Sequence, residues 1–316
     1  MHDELLKAAR DHDMAALAEL DRNGLLAGVG ESLDDYLSRI HELRTRIATM
    51  EHALDETGHF DIEGIELKAD QRIPQDRFEE IRDMTAAPYS FVAEWVPGFY
   101  IDPSFGWLFG GCAYYFYPEF FALFIIRKAF ARQQKWLIYD RRELLAHELC
   151  HVARVALHSK VFEEHFAYQV SNSRFRRNFG GVFVSAADSF MVLGSTLLLL
   201  LAQFVQSFLL PALWVWPFWL LVIGVVIFLL TRYRATRKML RRAARKLRPL
   251  AGTNTEAVLF RCTDAEIVEL GTLENIRNWL DEPSRDTVRW QVIKARFLPP
   301  QESESVQTED PLPAHE

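Results

Sequence analysis

The feature that most constrains the fold of this 316-residue chain is a long segment without any charged side chain. Residues 189–230 contain no Asp, Glu, Lys or Arg, although charged residues make up 25% of the whole sequence. About 20 consecutive apolar residues suffice to cross the hydrocarbon core of a bilayer as a helix. Pro211 divides the segment into two stretches that are each long enough to span. The sequence therefore predicts a membrane hairpin of two helices, and a buried helix pair in a soluble protein is the alternative.

The charges that flank the apolar segment predict its orientation. Nine Lys or Arg residues and no acid lie at 232–248, and three arginines precede the segment at 174–177. Cytoplasmic loops carry an excess of such cations, so we expect a multi-pass membrane protein with two spans and both termini in the cytoplasm. The first residues contain no apolar signal-peptide core, which agrees with this orientation. We expect the basic run from Arg232 to Arg248 to contact anionic lipid headgroups and not nucleic acid, because such a flank is ordinary beside a membrane helix.

Upstream of this segment, residues 147–151 read His-Glu-Leu-Cys-His within a stretch of helical periodicity that no Pro or Gly interrupts. Positions i and i+4 lie on one face of a helix, so His147 and His151 can reach the same metal ion. Glu148 stands beside them, where a carboxylate can act as general base on a water molecule. Cys150 falls on another face and is expected to pack in the core. The alternative is an amphipathic helix that carries two surface histidines.

A catalytic zinc site needs a third protein ligand and leaves one position open for water. A polar break at 158–160 and a second helix at 161–170 predict an antiparallel helix pair. In such a pair Glu164 falls within about one turn of His151, a distance that a Glu side chain can span, so Glu164 is a candidate third ligand. Acidic charges at the start of a helix are the alternative role for this carboxylate. Two further carboxylates stay open as the third ligand, namely Glu163 and Asp188.

Residues 164–167 read Glu-His-Phe-Ala. Together with 147–151 they resemble the H-E-x-x-H and E-x-x-A motifs of gluzincin-type zinc metallopeptidases. The resemblance covers residues 135–175 and is nearest to the integral-membrane CAAX-type and heat-shock metallopeptidases, although Tyr168 stands where those families have Asp. It implies a Zn²⁺ site with the ligands His147, His151 and Glu164, and with Glu148 as the catalytic residue.

The resemblance implies a membrane-anchored, zinc-dependent metalloendopeptidase that hydrolyses peptide bonds of membrane or juxtamembrane proteins at a cytosol-facing site. In that chemistry Glu148 carries a proton from water to the leaving amine, and a further donor stabilises the oxyanion. Four side chains near the motif are open candidates for this donor, namely Tyr139, His158, His165 and Tyr168. The alternative function is a catalytically inactive membrane-bound sensor or adaptor that retains a metalloprotease-like fold.

The predicted fold class is α+β. It comprises a mainly helical metallopeptidase domain with a zinc-binding helix pair, a two-helix transmembrane hairpin and a small cytosolic α+β module. The three cysteines are widely spaced and give no disulfide framework, which suits a reducing compartment. The predicted regions are an N-terminal helical region at 1–85, the metallopeptidase core at 86–180, the hairpin at 181–231, the basic juxtamembrane segment and cytosolic module at 232–298, and a disordered tail at 299–316.

Short apolar runs predict strands in two of these regions. A strand at 122–126 is expected to line the active-site cleft and to pair with extended substrate, and a third membrane segment at 103–126 is the alternative. Further strands are expected at 256–262 and 288–297. Between them, a helix is expected to begin at Thr263, which has a Glu three residues later as a capping box requires.

Overall fold

The computed structural model describes residues 3–101, 110–117 and 120–298. The protein is 66% helical, and its described part also contains three small sheets. The prediction of a mainly helical chain with some strands is therefore confirmed. The predicted tail at 299–316 lies outside the described residues.

The N-terminal region is helical, as its periodicity predicts, but it also contains a β-hairpin. Asp13 and Ser32 each accept a backbone N–H at the start of a helix. The hairpin turns at Glu63 and Gly64, which both have positive φ and so suit the tight turns that join antiparallel strands. The elements of this part are α1 (Asp3–Arg10), α2 (Met14–Arg22), α3 (Leu33–Thr57), β1 (His59–Ile62), β2 (Ile65–Lys68), α4 (Asp76–Glu79) and α5 (Arg82–Tyr89).

A three-stranded sheet follows, made of β3 (Gly98–Ile101), β4 (Gly111–Phe116) and β5 (Phe121–Arg127). The strand order is β3-β5-β4, with β3 parallel and β4 antiparallel to β5. The strand predicted at 122–126 is confirmed, but it is the central strand. β4 pairs with β5 along residues 121–126 and β3 pairs with it along residues 124–127, so the prediction that this strand pairs with substrate is wrong.

The alternative of a third membrane segment at 103–126 is also wrong for the described part of that range. Gly111–Phe116 and Phe121–Arg127 form an antiparallel strand pair, whereas a membrane-crossing segment would be a single helix. Residues 102–109 and 118–119 lie outside the described residues.

Two short strands and three helices follow, and the first of these helices contains the His-Glu-Leu-Cys-His motif. They are β6 (Lys135–Trp136), β7 (Tyr139–Asp140), α6 (Arg141–Arg154), α7 (Glu163–Gln169) and α8 (Arg174–Phe179). Asp140 accepts the N–H groups of Arg142 and Glu143 and so begins α6. The chain leaves this helix at His158, which has a φ of 51°, and α7 packs back against α6. The predicted helix pair is therefore present, with a second helix shorter than 161–170.

Two long apolar helices follow, α9 (Ala186–Phe208) and α10 (Trp216–Ala251). Both are long and apolar enough to cross a membrane, and only 22% and 11% of their most apolar stretches are buried inside the protein. A core helix pair of a soluble protein would be mostly buried, so this exposure favours a surrounding bilayer. The orientation of the hairpin stays a prediction. The basic run is the continuation of α10 beyond its apolar half.

The C-terminal module is helical, which corrects the α+β prediction for 232–298. Its helices are α11 (Thr255–Phe260), α12 (Asp264–Thr272), α13 (Ile276–Leu280) and α14 (Val288–Phe297). The strands expected at 256–262 and 288–297 are both wrong. Residues 257–262 are buried without interruption, so that run has no period. In 288–297 the buried side chains lie on one face of the helix, but Val288, Trp290 and Val292 alternate in the sequence as in a strand. The capping box at Thr263 is confirmed, and α12 packs on α10.

Glu266 is the centre of a buried ionic network in this module. Its carboxylate accepts hydrogen bonds from Arg289, at 2.8 and 2.9 Å, and from the Trp290 indole, at 2.8 Å. Burial alone would raise the pKa of Glu266, but the hydrogen bonds and charge of Arg289 outweigh it and lower the pKa from 4.5 to about 2. The network joins α12 to α14.

We expect this network to make the fold acid-sensitive between pH 4.5 and about 2. The unfolded chain binds a proton at Glu266 near pH 4.5 and the folded chain only near 2, so the stabilisation is complete above 4.5 and is lost as the pH falls towards 2. When it is complete, this pKa shift adds about 3 kcal/mol to the free energy of unfolding. Unfolding followed by tryptophan fluorescence in detergent, for wild type and Glu266→Gln, measures it. The difference in unfolding free energy between the two proteins should shrink as the pH falls across this window. A difference that does not change with pH would contradict the assignment.

Candidate metal centre

His147 and His151 lie on one face of α6, as their spacing predicts. Their Nε2 atoms are 3.3 Å apart, and both rings are partly buried. Burial lowers the pKa of His147 to about 3, so this imidazole stays neutral, the form that binds a metal.

Glu164 completes a triangle of donor atoms with these two rings. One carboxylate oxygen is 3.6 Å from His147 Nε2, and the other is 3.6 Å from His151 Nε2. The three candidate ligand atoms lie within 4.8 Å of one another. Ligands about 2.1 Å from a tetrahedral ion stand about 3.4 Å apart, so these separations suit a metal ion of that size.

Glu163, the nearest rival as third ligand, lies behind the triangle. Its carboxylate is 3.3 Å from His151 Nδ1 and accepts a 2.7 Å hydrogen bond from Arg154 Nε. A carboxylate on the second ring nitrogen is how proteins orient a metal-binding histidine. Burial would lower the pKa of His151, but Glu163, Glu148 and Glu164 together raise it to about 9. The same negative charges attract a metal cation.

Asp188, the distant rival, takes part in a different interaction. It pairs with Arg232 at 2.5 Å and accepts the backbone N–H groups of Val184 and Ser185. These contacts join the start of α9 to α10. The geometry therefore favours Glu164 as third ligand, with Glu163 orienting His151.

Glu148 lies against the edge of the sheet. It accepts a 3.1 Å hydrogen bond from the backbone N–H of Ala113 in β4. Burial raises the pKa of Glu148, and the charge of His151 only partly offsets it. A carboxylate with a raised pKa is a better proton acceptor near neutral pH. The sequence predicts Glu148 as the base but gives no sign of its contact with β4.

Of the four oxyanion-donor candidates, Tyr168 is the one that contacts the triangle. Its ring centroid lies 4.6 Å from that of His147. It also packs against Gly180, where a Cβ would stand 2.2 Å from the Tyr168 ring. The other three have different neighbours: His158 lies beside Phe120, Tyr139 stacks on Trp136, and His165 lines a cavity with Arg237 and Arg241.

Tyr115 is a further side chain of the site that sequence reasoning missed. Its hydroxyl is buried and has no hydrogen-bond partner among the residues that the structure describes. Burial, followed by the charges of Glu148 and Glu163, raises the pKa of Tyr115. Tyr115 is two residues from Ala113, so both lie on the same side of β4. The only sequence signal is the aromatic run to which it belongs.

Arg154 anchors the site to the C-terminal module. It is fully buried, and besides Glu163 it donates to the carbonyl groups of Phe260 and Cys262. Its guanidinium also lies 4.4 Å from the Phe166 ring centroid. Asp264, at the start of α12, provides a second link between the module and the site. Its carboxylate accepts the backbone N–H groups of residues 160–162, just before α7. The module thus fixes the position of Glu163 and Glu164.

No protein-family model, curated protein or solved structure matches this chain. The assignment of a function therefore depends on the geometry of the site and on the resemblance carried by its motifs.

Proposed function

We propose that this protein is a membrane-anchored, zinc-dependent metalloendopeptidase of gluzincin type. The observation that carries the proposal is the arrangement of His147, His151 and Glu164 within 4.8 Å, with the partly buried Glu148 carboxylate beside them. Two imidazoles and one carboxylate are a donor set of catalytic zinc sites. Non-haem iron enzymes use the same set, but a Glu beside the first His favours hydrolysis, because hydrolysis needs a base at that position.

Each residue of the site has a separate role in the proposed hydrolysis. A zinc ion in this site would polarise the scissile carbonyl group and make water more acidic. Glu148 accepts the proton of the attacking water and delivers it to the leaving amine. Tyr168 and Tyr115 are the hydroxyl donors available to the developing oxyanion. The burial of the Tyr115 hydroxyl without a partner among the described residues suits such a role.

Among the described strands β4 lies at one edge of the sheet, and its outer side is the surface on which an extended substrate fits. Arg127 donates its N–H to Gly110, so residues 111, 113 and 115 direct their backbone groups away from β5. The N–H of Ala113 reaches Glu148 from this edge. A peptide that pairs along β4 would therefore pass beside the proposed base, as in other β-strand additions.

The site lies near the start of the hairpin, which favours membrane or juxtamembrane substrates. Tyr168 links His147 to Gly180, only a few residues before α9 begins. Exposed aromatic side chains at Phe175, Phe179 and Phe183 lie in the same stretch and suit contact with the bilayer surface. We propose a cytosol-facing site, in keeping with the basic flanks of the hairpin.

A pair of matched substrates tests this proposal. The protein is reconstituted in nanodiscs with a peptide library fused to a transmembrane helix, and the same library is offered free in solution. We expect cleavage of the tethered peptides to be about 10²-fold to 10⁴-fold faster, because tethering raises their effective concentration. A chelator should stop cleavage and added zinc should restore it. Absence of cleavage of both libraries by the zinc-loaded protein would contradict the proposal.

A further inference from the structure

A cavity of about 1040 Å³ lies along α10 just beyond its apolar half. The side chains that line this cavity change from apolar to basic along the helix. Phe179, Leu230 and Tyr233 line one end, where the uncharged segment finishes, and basic side chains line the rest. The basic residues are Arg234, Arg237, Lys238, Arg241, Arg245 and Arg248.

Four of these cations have charges that no residue in the described part of the chain neutralises. Arg234, Lys238, Arg241 and Arg245 form neither an ion pair nor a hydrogen bond with any residue in the described part of the chain. All four are exposed. Their spacing of four, three and four residues places them on one face of the helix, and we name them the basic stripe. Among the described lining residues Glu256 is the single carboxylate, so the cavity carries a large excess of positive charge.

Three other cations of this part of α10 have partners within the described residues. Arg232 pairs with Asp188, and Arg237 donates to the Asn178 side chain at 3.2 Å. Lys246, on another face, donates to the carbonyl group of Leu273. These three cations join parts of the fold, whereas the basic stripe lines a space large enough for a ligand.

We propose that this cavity binds a phospholipid whose headgroup carries two or more phosphates. The apolar end beside Leu230 suits the start of an acyl chain, which a free phosphate would not need. The basic stripe extends about 16 Å along the helix, whereas the headgroup layer of a bilayer is about 5–8 Å thick. A single phosphate at the bilayer surface would therefore reach only the first cations, and a larger polyanionic headgroup is needed to reach Arg241. Basic pockets beside membrane helices bind such headgroups.

The test uses two adjacent arginines as a matched pair. Arg241 lines the cavity and Arg242 does not, although both are exposed and their replacement removes the same charge. Short-chain phosphatidylinositol bisphosphate is titrated into the detergent-purified protein, and bound lipid is counted by native mass spectrometry. We expect saturation at about one lipid per chain, because the cavity is one site. Arg241→Gln should weaken binding about fivefold and Arg242→Gln should leave it unchanged.

Three comparison ligands separate the alternatives. Short-chain phosphatidylcholine should not bind, and the bisphosphate headgroup without acyl chains should bind more weakly than the lipid. Equal effects of Arg241→Gln and Arg242→Gln would overturn the proposal, because they would mean diffuse attraction to a basic surface. Tighter binding of a single-stranded oligonucleotide at the same stripe would also overturn it and favour a nucleic-acid site. Binding should persist in His147→Ala, so the result does not depend on the proposed peptidase.

Discussion

Glu148→Gln is expected to lower the rate of peptide hydrolysis by about 10²-fold to 10⁴-fold or more, while the metal stays bound. The amide has the shape of the carboxylate and can still accept the N–H of Ala113, so the fold of α6 and its contact with β4 should persist. It cannot accept a proton from water. The loss should therefore fall on kcat and leave KM almost unchanged, because Glu148 acts on the reacting water and not on the bound peptide.

Cleavage of the tethered peptides measures this effect, with metal content and thermal unfolding recorded for each protein. Cys150→Ala is the control, since Cys150 lies on the same helix, is buried in the core and is not one of the three candidate ligands. It should retain activity. Full activity in Glu148→Gln would contradict the proposed base. A cellular phenotype that survives Glu148→Gln but is lost on deleting residues 1–57 would favour the sensor or adaptor function instead.

Glu164→Ala and Glu163→Ala are expected to weaken metal binding to different extents. Glu164 faces both Nε2 atoms, so its removal takes away a ligand and should abolish stable binding. Of the two histidine rings, Glu163 contacts only that of His151, at its second nitrogen, and loss of such an orienting partner costs about 10-fold to 100-fold in affinity. The two residues are adjacent, and each substitution removes one negative charge, so each variant is a control for the other.

Competition with a chromophoric chelator measures the two affinities. Asp188→Ala tests the third candidate and should bind metal like wild type, because its carboxylate pairs with Arg232 away from the triangle. That variant should unfold at a lower temperature than wild type, because it loses the contact that joins the start of α9 to α10. A greater loss in Glu163→Ala than in Glu164→Ala would exchange the roles of the two glutamates.

The features that could be predicted from the sequence depend on local geometry. The spacing of His147 and His151 is a property of any helix, and the polar break after the motif suffices to predict the returning helix with Glu164. The two apolar helices are also predictable, because a long run without charge has few other stable environments.

The features that could not be predicted depend on contacts between distant parts of the chain. Ala113, Tyr115 and Arg154 complete the site through neighbours that no spacing rule connects. The wrong strands at 256–262 and 288–297 have a related cause. The first segment is buried without interruption, and apolar residues of the second alternate at 288, 290 and 292, so tertiary packing and the Thr287 cap, and not periodicity, decide that the second segment is a helix. The strand at 122–126 was predictable, but its central place in the sheet depends on β3 and β4.

The metal content of the detergent-purified protein, measured by elemental analysis, tests the central claim most directly. We expect about one zinc ion per chain in the wild type and none in His147→Ala, with both proteins folded by thermal unfolding. A folded wild type that binds no metal after incubation with zinc would contradict the metal centre. One iron ion in place of zinc would retain the centre and contradict the proposed hydrolase.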